Sequence, residues 1–160
     1  MKNLLPFIFC GLSIGCYSQV NTVMPPEADL FYNNAIQTIK PQIKNAIEKN
    51  ANNLKGKKMN PDSLSSVLRA DRALKGRTQQ DIEAITILIM IQVSKNADAD
   101  LKELVMNIQK NNSKDSSANN GDSINVENIL NNKSEIAAKV SLLMKKLSIS
   151  QNIVLDHLRY

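Results

Sequence analysis

The chain has no tryptophan, and aromatic residues fill only 4% of its 160 positions, so it lacks the ring faces on which nucleic-acid bases stack. Glycine and proline number five each, which excludes collagen-like and low-complexity classes and leaves no glycine-rich loop to cradle a phosphate. There is one histidine, His157, and both cysteines, Cys10 and Cys16, lie in the first sixteen residues. A nucleophile with its base, a sulfur metal site and a disulfide framework all lack their raw material. What is present is aliphatic: apolar residues make up 42%, enough for a packed core and too many for wholesale disorder.

The start of the chain reads as an export signal. Lys2 is the only charge before Glu27, and Leu4 to Gly15 is an apolar run shorter than the roughly 20 residues a membrane span needs. Small residues at Cys16 and Ser18 suit a signal peptidase, which would leave Gln19 as the new N-terminus. The alternatives are lipid attachment at Cys16, making an outer-membrane lipoprotein, and an uncleaved anchor. The Cys-Tyr-Ser ending before Gln19 resembles export signals of Gram-negative bacteria of the Bacteroidota group. That resemblance covers the leader only, and implies the periplasm, the outer membrane or release to the medium.

Beyond the leader the pattern is helical throughout, and residues 19–26 read as an extended lead-in ending at Pro25-Pro26. Leu30, Phe31, Ala35, Ile36, Ile39, Ile43, Ala46 and Ile47 recur at helical spacing, with Pro41 predicting a kink or a junction of two helices. Asn60-Pro61-Asp62 is a helix start that runs toward Gly76, with Leu64, Val67, Leu68 and Leu74 on its buried side. Thr78 and Asp81 form a capping-box pattern ahead of Ile82, Ile85, Leu88, Ile89 and Val93. The β-branched centre of that run suits a buried strand on propensity alone, but the cap and the want of a partner strand favour helix. Asp98 or Asp100 is expected to start a further helix carrying Leu101, Leu104, Val105 and Ile108.

Residues 111–122 hold no apolar side chain larger than alanine and predict a flexible loop. After it Val126, Ile129, Ile136, Val140, Leu143, Leu147 and Val154 form a heptad-like stripe, interrupted in the same seam by Lys133, Ser150 and His157. Such a stripe serves either the chain's own bundle or, as a coiled coil, another helix; Ile136, Val140, Leu143, Leu147 and Val154 are the candidate partner-facing positions. The expectation is therefore an all-α, single-domain bundle of about four to five helices, spanning 27–110 and a long C-terminal helix over 123–160 packed on the same domain.

Charge is polarised along the chain, whose net charge is +5. Lys40 to Arg77 holds ten basic and three acidic residues, whereas Thr78 to Glu135 holds five against nine. Lys55, Lys57, Lys58, Arg69, Arg72, Lys75 and Arg77 are candidates to face an anionic lipid surface, a glycan or an acidic protein. His157 reads as a surface or seam residue. Asp98 and Asp100 read as caps instead of metal ligands, and Glu83 and Glu103 as solvated surface acids. No catalytic set, cofactor, metal site, small-molecule substrate or nucleic-acid partner is expected. The residues predict an exported, non-enzymatic protein working by protein contact or self-association as an accessory or scaffolding subunit of the cell envelope. The alternative is a peripheral binder of anionic lipid or glycan through residues 40–77.

Overall fold

The computed structural model describes residues 23–112, 120–147 and 150–160. The expected signal peptide, the Cys16 lipidation site and the centre of the expected loop lie outside the described residues. Within them the chain is all-helical: α1 (Pro26–Thr38), α2 (Pro41–Asn53), α3 (Pro61–Ala70), a single 3-10 turn (Arg72–Leu74), α4 (Gln79–Asn112), α5 (Asn120–Leu147) and α6 (Gln151–Arg159).

Three of these helices begin on a proline. Pro26, Pro41 and Pro61 each take the first helical position, where the missing N–H would have had no partner and the fixed φ already suits a helix. Pro41 therefore opens a new helix and does not kink an old one. Asn60 caps α3, its Oδ1 accepting from the backbone N–H groups of Asp62 and Ser63 at 2.9 and 3.3 Å. Replacing Asn60 with Ala removes both bonds and is expected to lower stability by about 1 kcal/mol, measured by urea unfolding. Gly56 and Gly76 sit at φ of 70° and 86°, a left-handed turn on either side of α3 that a side chain would strain.

The core is organised around α4. Ala84 to Ile91 are all buried, more than two turns with no solvent-facing side, because α1, α2, α3, α5 and α6 all pack on this helix. That accounts for the strand-like composition: a helix covered all round reads as a continuous apolar run. The one hydroxyl in the run is satisfied, Thr86 donating to the Ile82 carbonyl at 2.8 Å and lying 3.1 Å from the Ser65 hydroxyl. The capping box forms at its start. Thr78 N–H donates to Asp81 Oδ2 at 2.9 Å, and Asp81 N–H donates to Thr78 Oγ1 at 3.1 Å.

Several expectations are corrected. Leu30 and Val67 were expected on buried faces, yet they are 63% and 59% exposed, since α1 and α3 each turn a narrower stripe to the core. The helix from Pro61 stops at Ala70, short of Gly76, because the Asp71 side chain accepts from the Ala73 backbone and closes a local turn. No helix starts at Asp98 or Asp100: α4 passes straight through them. Their carboxylates take the distant lysines Lys133 and Lys55 in place of backbone N–H groups. Asn111 and Asn112 belong to α4 and residues 120–122 to α5, so the expected loop is shorter at both ends. The C-terminal region is two helices, with Ser150 at the turn before α6.

α1 is fastened to α4 through Tyr32, which is buried and donates its hydroxyl to Gln92 Oε1. Lys95 lies 5.2 Å from the Tyr32 ring centre and pairs with Asp29 at 2.9 Å. Burial, and secondarily the charge of Glu48, raise the Tyr32 pKa. A phenol that resists ionisation when folded contributes stability that is complete below about pH 10 and declines as pH rises through the folded value. The wild type is therefore expected to lose more melting temperature than Tyr32→Phe between about pH 9 and pH 11; equal losses would contradict it.

Candidate functional site

Past Ser94 the burial of α4 thins, and α5 is the element with which α4 makes most of its contact. Between the two lies a groove of about 960 Å³. On α4 its wall is Val93, Ala97, Asp100, Leu104 and Asn107, at steps of four, three, four and three, which is one face of a helix. On α5 the wall is Asn125, Asn128, Asn132 and Glu135, at steps of three, four and three, with Ile129 and Asn131 beside them. Lys55, Gly56 and Lys58, from the turn after α2, complete the lining.

That turn is held in place by α5. Asn132 donates to the Lys57 carbonyl at 3.5 Å, and the Lys139 ammonium donates to the Met59 carbonyl. Lys55 pairs with Asp100 at 2.7 Å, beside the middle of the α4 wall. Glu135 sits beside Lys139 at 2.6 Å; their hydrogen bond, then the Lys139 charge and more weakly Lys58, keep its carboxyl below the usual range. The groove thus offers an apolar floor of Val93, Ala97, Leu104 and Ile129, five asparagine amides, and charges of both signs close to balance. Amides of this kind both donate and accept, so the surface suits neutral polar groups and not a strongly charged ligand.

A second, smaller cleft of about 370 Å³ lies between α3, the start of α4 and the end of α5, where Arg69 and Lys146 are offset by Asp62 and Glu83. His157 lines neither cleft. Its Nδ1 is 3.4 Å from Oδ1 of the buried Asp81, at the junction of α6 with the start of α4. Among the described residues no group of three or more His, Cys, Asp or Glu is placed to hold a metal ion, and no helix is long and apolar enough to cross a membrane.

The basic candidates separate into used and unused. Arg77 donates to the His157 carbonyl and Lys55 is paired, whereas Lys57, Lys58, Arg69, Arg72 and Lys75 are exposed. The heptad stripe is turned inward. Ile136, Val140, Leu147 and Val154 are buried and offer no surface to another chain, while Leu143 is half-buried against the same core and lines the second cleft. None of the groove asparagines is among the site residues expected from the sequence. The available signal was the three-four spacing of Asn125, Asn128 and Asn132. No known family, no curated protein and no solved structure matches this chain.

Proposed function

We propose that this chain is an exported, non-enzymatic contact protein of the bacterial cell envelope, an accessory or scaffolding subunit that engages its partner through the α4–α5 groove. The observation that supports this reading is the groove itself: a heptad-spaced, amide-rich lining over an apolar floor, on a molecule whose other helices turn their apolar stripes to the core. Helical walls favour a helical occupant. Their backbone groups are already bonded within each helix, so an extended peptide would find no sheet edge to pair with, whereas a helix brings its own bonds satisfied.

The test is site-specific photocrosslinking in the producing cell, with the reactive residue at Asn128 in the groove and, as control, at Asn34 on the exposed side of α1. A discrete adduct from Asn128 and none from Asn34 is the expected result. The same preparation, fractionated and weighed, is expected in the envelope or medium with Gln19 at its N-terminus; retention of residues 1–18 in the cytoplasm would count against export.

A second reading is kept because five basic side chains of residues 40–77, Lys57, Lys58, Arg69, Arg72 and Lys75, are exposed to solvent. Peripheral binding of anionic lipid or glycan through them would weaken steeply with salt. Adsorption to anionic vesicles at low ionic strength that is lost at high ionic strength favours this reading, and no adsorption at either removes it.

A further inference from the structure

The two oxygens of Asp81 are treated differently by the fold. Its Oδ2 accepts the Thr78 N–H in the box that starts α4, and the side chain as a whole is only 3% exposed. The other oxygen, Oδ1, accepts no hydrogen bond among the described residues. A buried carboxylate oxygen without a donor is costly, so its neighbour across the junction carries weight. That neighbour is Nδ1 of His157 on α6, 3.4 Å away.

The protonation state of the ring decides what the contact is worth. With one ring proton, an imidazole offers Oδ1 an N–H in one tautomer and a repelling lone pair in the other. With two, Nδ1 always carries a hydrogen and the ring carries a positive charge. His157 also stands in the last turn of α6, where the negative end of the helix favours the same charge. It is the only histidine in the chain, so among the described residues it alone belongs to the side-chain type that ordinarily titrates between about pH 5 and 8.

The other charges around the junction are engaged elsewhere. Arg77, ahead of α4, donates to the His157 carbonyl and forms no ion pair with Asp81 among the described residues. On α6 itself Asp156 pairs with Arg159 at 2.9 Å. Between α1 and α2, Lys40 donates through its ammonium to the Tyr160 carbonyl. Side chains of these types ordinarily hold their charge across the imidazole range and form a constant background. α6 is also the element most able to respond, since its nine residues dock through Val154, Leu155 and Leu158 and do not persist as a helix alone.

We infer that His157 and Asp81 form a proton-operated latch, in which a proton on the imidazole closes α6 onto the start of α4 and its loss loosens α6 while the rest of the bundle stays folded. Docking that gains from a bound proton strengthens as pH falls. The contribution is complete on the acid side of the imidazole range and is lost as pH rises through it.

Native-state hydrogen exchange on the full chain, corrected for the chemical exchange rate, reads the opening of α6 at about pH 5.5 and about pH 8. The wild-type opening equilibrium of the α6 amides is expected to be about three- to tenfold smaller at the acid value, with Ala84 to Ile91 slow at both. His157→Gln, at a half-exposed position, keeps a neutral donor and is expected to open α6 equally at the two values. His157→Arg carries a charge that does not titrate and is expected to hold α6 closed at both. Asp81→Asn keeps an acceptor for Thr78 and is expected to lose most of the pH effect. Wild-type opening that is the same at both values overturns the inference, as does a pH effect that survives His157→Gln. A folded Asp81→Asn with the full effect also overturns it, because the imidazole would then act on the helix end alone. If Asp81→Asn does not fold, the Gln and Arg variants decide: His157→Arg opening as readily as His157→Gln refutes the latch.

Discussion

Leu88→Ala lowers stability by about 3 to 4 kcal/mol, among the largest effects expected of a single truncation in this chain. Leu88 is fully buried at the middle of α4, where five other helices converge on one helix. Removing its branched end costs the transfer of the lost methyl groups and leaves a cavity that neighbours on several sides cannot all move to fill. The melting temperature is expected to fall by about 10 to 15 °C with the urea slope unchanged. Leu88→Met keeps the volume and is expected to cost less than about 1.5 kcal/mol. Leu101→Ala, one turn into the half-buried part of the same helix, should cost no more than about 1 to 2 kcal/mol. If Leu88→Ala and Leu101→Ala prove equal, α4 is not the hub of the core.

Val154→Asp releases α6 and lowers stability by about 3 to 5 kcal/mol. Val154 is fully buried, and with Leu155 and Leu158 it supplies the apolar face by which the nine residues of α6 dock. So short a helix does not persist alone in water. Docking is completed at its far end, where Lys40 N–H donates to the Leu158 carbonyl at 3.1 Å and Arg77 to the His157 carbonyl. Lys40 and Arg77 place positive charge where a helix end is negative. A carboxylate at position 154 has no cation to meet among the apolar groups there, so undocking costs less than burying it. Hydrogen exchange is expected to show the α6 amides unprotected while those of Ala84 to Ile91 stay slow. Ile153→Asp, next in sequence but 57% exposed, is expected to change stability by less than about 0.5 kcal/mol. Matching behaviour of the two variants would refute the docking described.

The second result bears on how variants of the C-terminal stripe are to be read. A charge at Leu147 or Val154 that abolishes an interaction does so by breaking the core, since both side chains are buried inside one chain. Glu103 and Lys58, both at the surface, report on contact without that confusion.

Helix class, helix starts and much of the core membership were legible in the residues. Proline at the first helical position, the Asn60 cap and the Thr78–Asp81 box act within one turn, so their meaning is contained in a few neighbouring letters. Spacing at three and four marked Phe31, Ile43, Leu64, Ile85 and Val140 as core, and all are buried. Asp98 and Asp100 went the other way. An aspartate after a polar stretch is a good cap when no cation is near, and an ion-pair partner in mid-helix when one is. Lys133 and Lys55 are 35 and 45 positions away, and no local pattern places them.

The groove lies on the same side of that line. By itself the order of residues determined that this chain would be helical, where most of its helices begin, and which stripe of each would seek a core, because propensity, capping and periodicity are short-range. Only the tertiary structure decided that α4 would be the buried axis, that most of the C-terminal stripe would be consumed internally, and that asparagines from α4 and α5 would line one groove with Lys55 and Lys58. Those outcomes depend on which helix faces diverge after packing, and that is a property of the assembled bundle.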